Sequence, residues 1–407
     1  MDMASKLASR TNQMGVNAIR EILKAVSQPG MISLAGGIPA PESLPLDLMQ
    51  RLYRVVLDKY GPAALQYDST EGFGPLREAL VDQLLSCGIR TAAKEILIAS
   101  GSQGVLNALG MVLISKGDQV AVEAPTYIGA LQAFTTYEPR YVAIATDEQG
   151  VLPEALEAAL RQQKIKFIYL VPTFQNPTGR TLSMARRKAV AHLIQKYDAL
   201  LVEDDPYSAL RYRGDHLPPI KSLARDHVVY VGTLSKIFAP GLRIGYCVAP
   251  EPLRKWMVIV KQGIDLHTGT LGQALAAEYL SGDHLQSHLP KIIALYNPRQ
   301  EAMLAAMERY FPPDFNWSRP EGGMFIWAHG PLGMDMAAVY TKAVARKVAF
   351  VPGQYFYAQP GQGLETLRLN FTMTDERTLK RAVAVLGDVL RDESSSLRDR
   401  LRQACEG

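Results

Sequence analysis

Residues 228–248 read VVYVGTLSKIFAPGLRIGYCV, in which two apolar runs flank a loop that carries Lys236 and Arg243. The runs, residues 228–231 and 244–248, resemble strands that helices cover on both faces. Four further strand-like runs precede this stretch, at 95–99, 119–123, 167–171 and 200–203. Helical patterns lie between the runs and after the last of them, at 102–114, 126–134, 183–197 and 251–264. This alternation predicts an α/β fold with a mostly parallel sheet between helices.

The pattern changes after about residue 285. Helices around 271–311 are followed by short strand-like runs at 322–327, 348–351 and 366–371 and by a helix at 375–391. The charged residues 392–407 are interpreted as either a frayed helix end or a tail. These runs predict a smaller α+β domain. We therefore expect an N-terminal segment at 1–43, a large domain at 44–285 and a small domain at 286–407.

Composition excludes several classes of protein. The 407 residues are 47% hydrophobic and 21% charged, which is ordinary for soluble proteins. Apolar stretches such as 105–114 are shorter than the roughly 18 residues needed to span a bilayer. The first ten residues lack the apolar core of a secretory signal, and three distant cysteines suggest reduced thiols. We expect a cytoplasmic protein with no membrane partner, and a net charge of +4 spread along the chain gives no case for nucleic acid.

The residues that follow each predicted strand are candidates for a ligand site, because ligands bind beyond the carboxyl ends of strands in such sheets. Gly101, Ser102 and Gln103 open a helix after the first strand, where backbone N–H groups favour a phosphate. Taken alone, this motif favours a plain helix N-cap at Ser102 over a phosphate site. Tyr127 follows the second strand and can stack on a planar ring or pack within its own domain. Asn176 follows the third strand in an Asn-Pro turn, which alone indicates only a turn.

Three consecutive carboxylates, Glu203, Asp204 and Asp205, follow the fourth strand and precede Tyr207. Burying them is costly unless a cation meets them, so a metal site, a buried ion pair or a simple helix N-cap are the alternatives. The fifth strand leads to Lys236, which can form an imine if its surroundings lower its pKa. The histidines show no spacing typical of metal ligands, and we predict no metal site.

Five motifs in this order resemble the class I aminotransferases of pyridoxal phosphate fold type I. They are SGSQ at 100–103, PTY at 125–127, NPTG at 176–179, DDPY at 204–207 and SKIFAPGLRIG at 235–245. The N-terminal runs IREIL at 19–23 and LAGGIP at 34–39 are most similar to the group of 2-aminoadipate and kynurenine/aminoadipate aminotransferases. The resemblance covers nearly the whole chain and implies the fold type I architecture with pyridoxal 5′-phosphate as cofactor.

The resemblance also implies roles for individual residues. Lys236 would bond to the cofactor aldehyde and then move the substrate's Cα proton. Asp204 would face the pyridine nitrogen and keep it protonated, so that the ring acts as an electron sink. The remaining cofactor contacts would come from Asn176 and Tyr207 at the phenolic oxygen, Tyr127 at the ring face, and Gly101, Ser102, Gln103, Ser235 and Arg243 at the phosphate, with Thr233 a weaker candidate.

The substrate contacts implied by the resemblance are Arg368, Asn176, Gly37 and Arg20. Arg368 would bind the α-carboxylate through its bidentate fork. Gly37 would let the N-terminal segment pass close to the substrate. Arg20 would recognise a distal carboxylate, as in glutamate or 2-aminoadipate, although a solvated helix arginine is an equal interpretation. Tyr67 would contact the cofactor phosphate in the active site of a neighbouring subunit, which implies a homodimer with shared active sites.

The leading hypothesis is a transaminase that acts on an L-amino acid and 2-oxoglutarate by ping-pong kinetics. Acidic substrates are favoured, with aromatic and branched-chain amino acids left open. The alternatives are a β-lyase or decarboxylase on the same fold. A transcription regulator with an aminotransferase-like effector domain is also considered, but we expect too little chain before residue 34 to hold a DNA-binding domain.

Overall fold

The computed structural model describes residues 3–12 and 28–406 of the chain. The strands in chain order are β1 Ile32–Ser33, β2 Ile96–Ser100, β3 Gln119–Glu123, β4 Arg140–Ile144, β5 Thr146–Asp147, β6 Gly150–Val151, β7 Ile165–Leu170, β8 Leu201–Asp205, β9 Val228–Thr233, β10 Ile244–Val248, β11 Asn316–Trp317, β12 Phe325–His329, β13 Val348–Ala349, β14 Val351–Pro352 and β15 Thr366–Asn370.

Eleven α-helices in chain order lie within the described residues. They are α1 Leu46–Tyr60, α2 Gly74–Ser86, α3 Ser102–Leu113, α4 Ile128–Thr135, α5 Pro153–Gln162, α6 Met184–Lys196, α7 Glu251–Asp265, α8 Thr270–Ser281, α9 His284–Tyr310, α10 Met336–Ala345 and α11 Glu376–Glu406. Across the ranges 3–12 and 28–406, none of these helices is long and apolar enough to cross a membrane.

A seven-stranded sheet in the order β2-β10-β9-β8-β7-β3-β4 forms the centre of the fold. All neighbouring strands run parallel except at β10, which is antiparallel to both β2 and β9. The central strands are apolar and almost entirely buried, as expected for a sheet that helices cover on both faces. The six strands predicted in this region are confirmed, with shifts of one or two residues at their ends.

A second, antiparallel sheet in the order β11-β12-β15-β14 belongs to the C-terminal part of the chain. The single strand predicted at 348–351 is wrong, because β13 pairs with the N-terminal strand β1 whereas β14 pairs with β15. The strand predicted at 322–327 begins later, at Phe325. The pairing of β1 with β13 places residues 32–33 against the C-terminal part of the chain.

Of the two interpretations of residues 392–407, a helix end and a tail, the structure supports the helix end, since α11 continues to Glu406. Residues 392–406 contain no glycine or proline that would end the helix. Buried residues on one face, including Leu379, Val383, Leu386 and Leu390, pack this helix against α9. The apolar face predicted for residues 375–391 is therefore confirmed.

Candidate active site

The carboxyl ends of the parallel strands β3, β7, β8 and β9 meet at one edge of the central sheet. The residues that follow them include Tyr127, Asn176, Tyr207 and Lys236. Because the strands are parallel neighbours, side chains from distant parts of the sequence are brought together there. The strand-end residues predicted from the sequence therefore share one region of the molecule.

Lys236 is partly buried and lies against the N-terminal segment. Its Nζ donates a hydrogen bond to the carbonyl oxygen of Gly37 at 2.7 Å. Desolvation and, to a smaller extent, the positive charges of Arg368 and Arg243 together lower the pKa of Lys236 to about 8. A lysine with such a pKa has a substantial neutral, nucleophilic fraction near neutral pH.

Asp204 is 2% exposed and lies at the end of β8. Its Oδ2 accepts a hydrogen bond from the Tyr169 hydroxyl at 2.7 Å, whereas its Oδ1 is buried without a hydrogen-bond partner. Burial raises the pKa of Asp204 to about 7, and the hydrogen bond from Tyr169 opposes that rise. A buried acceptor without a partner fits a missing cationic or N–H group at Oδ1.

The three consecutive carboxylates do not share a ligand, because their neighbours are different. Glu203 accepts hydrogen bonds from the backbone N–H groups of residues 220 and 221 and lies 3.9 Å from the Arg187 guanidinium. Asp205 accepts hydrogen bonds from the Tyr230 hydroxyl at 2.9 Å and from the backbone N–H of residue 208 at 3.1 Å. The ion-pair interpretation is thus confirmed for Glu203, and within the described residues no group of three His, Cys, Asp or Glu side chains could hold a metal.

Arg368 lies on β15, and its guanidinium reaches Asn176 and the N-terminal segment. Its Nη1 donates to Asn176 Oδ1 at 2.8 Å and its Nη2 to the carbonyl oxygen of Ala35 at 2.6 Å, while its Nε is buried without a partner. The guanidinium lies over the rings of Phe325, at 4.3 Å, and Phe356, at 5.0 Å. Burial lowers the pKa of Arg368 to about 10, so the group is a cation at neutral pH. A buried cation with a free donor edge is suited to a carboxylate.

Two tyrosines, the partly buried Tyr127 and the buried Tyr207, connect these groups. Desolvation and the charge of Asp204 raise the pKa of Tyr127, to about 12, whereas the charges of Arg368 and Arg243 oppose the rise. Burial also raises the pKa of Tyr207, and a hydrogen bond from Asn176 opposes that rise. Both phenols are therefore protonated at neutral pH, and both lie within electrostatic reach of Asp204 and Arg368.

A compact turn at the N-terminus of α3 lies beneath Arg243. Gly101 has a φ of 76° and a ψ of 169°, a conformation that is essentially restricted to glycine. A Cβ at Gly101 would overlap the Arg243 guanidinium, and one at Gly245 would overlap the backbone of Gly101 and Ser102. Nearby, the Thr233 hydroxyl donates to Ser235 Oγ at 2.9 Å. The helix N-terminus, the hydroxyls and the guanidinium form a cradle suited to an anion.

The other predicted site residues have different surroundings. Gln103 donates its side-chain amide to the carbonyl oxygen of Gly129 at 2.7 Å, which fixes α3 to α4. Tyr67 is 75% exposed, and its ring contacts His267 with 5.5 Å between centroids. Its side chain therefore does not join the strand-end site residues of its own chain. Arg20 lies outside the described residues.

Tyr169 and the carbonyl group of Ala35 were not predicted as site residues. A backbone carbonyl has no signature in a sequence. A signal for Tyr169 was present, because a hydroxyl in a strand that is apolar on both faces needs a hydrogen-bond partner. The nearest strong acceptor in the neighbouring strand is the carboxylate of Asp204.

This arrangement can be compared with known proteins. Residues 32–386 match the family model described as aminotransferase class I and II. The chain belongs to this family. The family membership confirms the resemblance stated from the five strand-end motifs and identifies the protein as an aminotransferase with the fold type I architecture.

Relatives with assigned activities match over nearly the whole chain of this aminotransferase. The aromatic-amino-acid aminotransferase 1 of Thermococcus litoralis is 42% identical, over 97% of this chain and 96% of that protein. The 2-aminoadipate transaminase of Thermus thermophilus is 38% identical, over 92% of this chain and 94% of that protein. The crystal structure of Pyrococcus horikoshii kynurenine aminotransferase in complex with PMP is 42% identical, covers 96% of this chain and 98% of that chain, and has a TM-score of 0.92.

The cofactor of this aminotransferase is pyridoxal 5′-phosphate, as predicted. The described residues fit it at two ends of the cluster. Asp204 leaves Oδ1 buried without a partner, as a ring nitrogen requires. The Gly101 turn, in which a side chain would overlap Arg243, leaves backbone N–H groups at a helix N-terminus for a phosphate.

Proposed function

We propose that this aminotransferase moves the amino group of a glutamate-like or 2-aminoadipate-like L-amino acid to 2-oxoglutarate. The observation that carries the proposal is that the backbone of residues 35–37 accepts hydrogen bonds from two basic side chains. One is the partly buried Lys236, whose pKa is about 8, and the other is the buried Arg368, whose Nε has no partner. One group supplies a neutral amine and the other a carboxylate-binding fork. The amino acid leaves as a 2-oxo acid before the second substrate enters, which gives ping-pong kinetics.

When bound, pyridoxal phosphate supplies a conjugated ring that withdraws electrons from the substrate's Cα. The protein residues then perform the remaining tasks. Lys236 would hold the cofactor through its amine and would accept the proton of the substrate's Cα. Asp204 would hold the pyridine nitrogen through Oδ1. The burial of Asp204 keeps water away from its carboxylate and so strengthens its electrostatic interactions.

The other contacts proposed from the sequence are compatible with the geometry. The hydrogen bond between Asn176 and Tyr207 supports their assignment to the phenolic oxygen of the cofactor. Tyr127 is assigned to the ring face. The phosphate is assigned to Gly101, Ser102, Gln103, Ser235 and Arg243, although in this structure the Gln103 amide is occupied by the carbonyl oxygen of Gly129.

The substrate range is proposed from Arg368, Arg20 and the relatives. Arg368 binds the α-carboxylate common to all amino acids, whereas Arg20 would select a distal carboxylate. The relatives are named for aromatic amino acids, 2-aminoadipate and kynurenine. We therefore include aromatic substrates in the proposed range, with branched-chain amino acids as a further option.

The proposed assembly is a cytoplasmic homodimer. Tyr67 supports it, because a tyrosine exposed at 75% beside His267 can reach the phosphate site of a second copy. The proposed division is a covering segment at 1–43, a cofactor-binding domain at 44–285 and a small domain at 286–407. The two sheets, built from strands before and after residue 285, support this division.

A β-lyase or a decarboxylase is the rival on the same fold, because the cofactor permits several fates for a Cα carbanion. Transamination differs from both because it leaves the amino group on the cofactor. A spectrum can therefore separate these reactions.

The test is an absorbance spectrum of the cofactor-loaded protein during titration with L-glutamate. We expect the visible band of the lysine-bound cofactor to disappear and the band of the amine form to replace it. Addition of 2-oxoglutarate should then restore the band of the lysine-bound form. A band that glutamate leaves unchanged would overturn the acidic-substrate proposal, and the titration would then be repeated with phenylalanine and leucine. Arg20→Ala should weaken the change that glutamate causes in the cofactor band and should leave the change caused by phenylalanine intact.

A further inference from the structure

Tyr169 is the hydrogen-bond donor that the described part of the structure gives to the Asp204 carboxylate. Its hydroxyl binds Oδ2, so Oδ1 is left buried without a partner. We propose that Tyr169 is a positioning residue that fixes the orientation and charge of Asp204, so that Oδ1 faces the ring nitrogen of pyridoxal phosphate as an ionised acceptor. This inference rests on the proposed function, because it needs the cofactor ring beside Asp204.

The sheet register places the two side chains together. In the parallel pair β7 and β8, Tyr169 lies opposite Val202. Asp204 is two residues further along β8, so it projects from the same face of the sheet as Val202 and Tyr169. A long side chain on β7 thus reaches diagonally to a carboxylate at the end of β8. The tyrosine side chain is long enough to span this diagonal, with its hydroxyl 2.7 Å from Asp204 Oδ2.

The ring of Tyr169 has no freedom to turn away. The residue is fully buried, and its ring packs edge-on against Phe134 with 5.8 Å between centroids. Phe134 in turn contacts Phe167 at 5.2 Å. No water reaches the hydroxyl, so breaking the hydrogen bond to Asp204 would leave the Tyr169 hydroxyl as a buried donor without an acceptor, which costs free energy. The hydrogen bond is therefore a rigid feature of the core.

The charge of Asp204 depends on this contact. Burial raises the pKa of the Asp204 carboxyl, the nearby charge of Asp205 raises it further, and the Tyr169 hydrogen bond lowers it. Without the hydroxyl, the neutral acid is favoured, and a neutral acid holds a proton on a ring nitrogen less well than a carboxylate does. A purely structural tyrosine would affect folding stability but not the properties of the bound cofactor.

The experiment compares Tyr169→Phe with the wild-type holoenzyme and with Tyr141→Phe. The control removes a hydroxyl that is also hydrogen-bonded, to the carbonyl oxygen of Leu131 at 3.1 Å, on the edge strand β4. Each variant is measured for its melting temperature, its cofactor dissociation constant and the pH midpoint of its visible cofactor band. None of these readouts is activity.

We expect Tyr169→Phe to weaken cofactor binding by roughly 10- to 100-fold, the effect of losing one hydrogen bond to a charged group. The pH midpoint should move to higher pH, because a ring nitrogen that holds its proton poorly withdraws less electron density from the conjugated system. Tyr141→Phe should change neither property. An unchanged midpoint and affinity in Tyr169→Phe, with only a lower melting temperature, would overturn the inference.

Two further measurements keep the test decisive. In the Asp204→Asn background, adding Tyr169→Phe should not shift the midpoint again, and an additive shift would show that Tyr169 acts independently of Asp204. If Tyr169→Phe does not fold, 3-fluorotyrosine in place of Tyr169 keeps the shape of the side chain and makes its hydroxyl a stronger hydrogen-bond donor. We expect this substitution to lower the pH midpoint of the cofactor band. An unchanged midpoint would overturn the inference. Failure of the wild-type protein to bind pyridoxal phosphate is a separate result that overturns the proposed function.

Discussion

Lys236 Nζ and the carbonyl oxygen of Gly37 form a 2.7 Å hydrogen bond across 199 positions of the sequence. Two residues earlier, the carbonyl oxygen of Ala35 accepts from Arg368 at 2.6 Å. A short backbone segment thus holds both basic side chains. A Cβ at Gly37 would lie 3.2 Å from the Phe325 ring, so a larger residue would require the segment or the ring to shift by a few tenths of an ångström.

The reactivity of Lys236 in the cofactor-free protein should follow its lowered pKa of about 8. Burial disfavours the ammonium form, so the neutral amine predominates above about pH 8, more than two pH units below an ordinary lysine at about 10.4. We expect the rate at which an amine-reactive reagent labels Lys236 to rise with pH and to reach half its maximum near pH 8. Mass spectrometry of the labelled peptide over a pH series measures this rate.

The matched variants are Arg368→Gln and Arg161→Gln. Arg368 contributes to lowering the pKa of Lys236, so its neutralisation should move the labelling midpoint to higher pH. Arg161 is a surface residue paired with Glu157, and its replacement should leave the midpoint unchanged. A wild-type midpoint near pH 10 would show that burial does not control this lysine.

Arg368→Lys separates the charge of Arg368 from its geometry. The lysine keeps the positive charge but loses the planar fork that binds a carboxylate through two parallel hydrogen bonds. We expect the KM for the amino acid to rise by roughly 10- to 100-fold, as for loss of a hydrogen bond to a charged group. Cofactor affinity should stay the same, and steady-state kinetics with a parallel cofactor titration measures both. A KM equal to that of the wild type would remove Arg368 from the substrate site.

The sequence predicted the strand-end residues because local patterns determine them. Uninterrupted apolar runs mark strands buried on both faces, and the residue after each run must lie at the sheet edge. The edge strand β4 was not predicted, because residues 140–144 are mostly half-exposed and begin with Arg140. Helix α5 was not predicted either, although Pro153 at its first position is a usual start signal.

Contacts between distant segments could not be predicted in the same way. The hydrogen bond of Arg368 to Ala35 uses a backbone carbonyl, which every residue possesses. The pairing of Tyr169 with Asp204 depends on the register between β7 and β8, and no local pattern encodes that register. The position of Tyr67 relative to a second subunit depends on an assembly that one chain does not contain.

Gly101→Ala should weaken cofactor binding more than Gly104→Ala. Gly101 has a φ of 76° and a ψ of 169°, which costs other residues on the order of 1–3 kcal/mol, and its Cβ would displace Arg243. Gly104 lies one turn away in α3, where a Cβ would make an ordinary 3.5 Å contact with Ala99. Melting temperatures and pyridoxal phosphate dissociation constants compare the two variants. Equal affinities would show that the Gly101 turn does not form the phosphate site.

The stability of the holoenzyme should fall as pH rises from about 4.5 to about 8, partly because of Glu123. Burial raises the pKa of this carboxyl to about 8, although hydrogen bonds from the backbone N–H of Val171 and from Gln175 oppose the rise. Between these two pH values the folded state keeps the proton of Glu123 and the unfolded state has released it. Each such proton contributes a slope of about −1.4 kcal/mol per pH unit to the free energy of unfolding.

Glu123→Gln removes this proton while keeping an oxygen that can accept from Val171 at 2.9 Å. Its free energy of unfolding, measured in denaturant at several pH values, should therefore decline less steeply than that of the wild type between pH 4.5 and 8. Glu157→Gln is the control, because neighbouring Lys196 and Tyr197 lower the pKa of Glu157 to about 2 and the group stays ionised throughout. Parallel curves for the wild type and Glu123→Gln would mean that Glu123 is ionised in the folded protein.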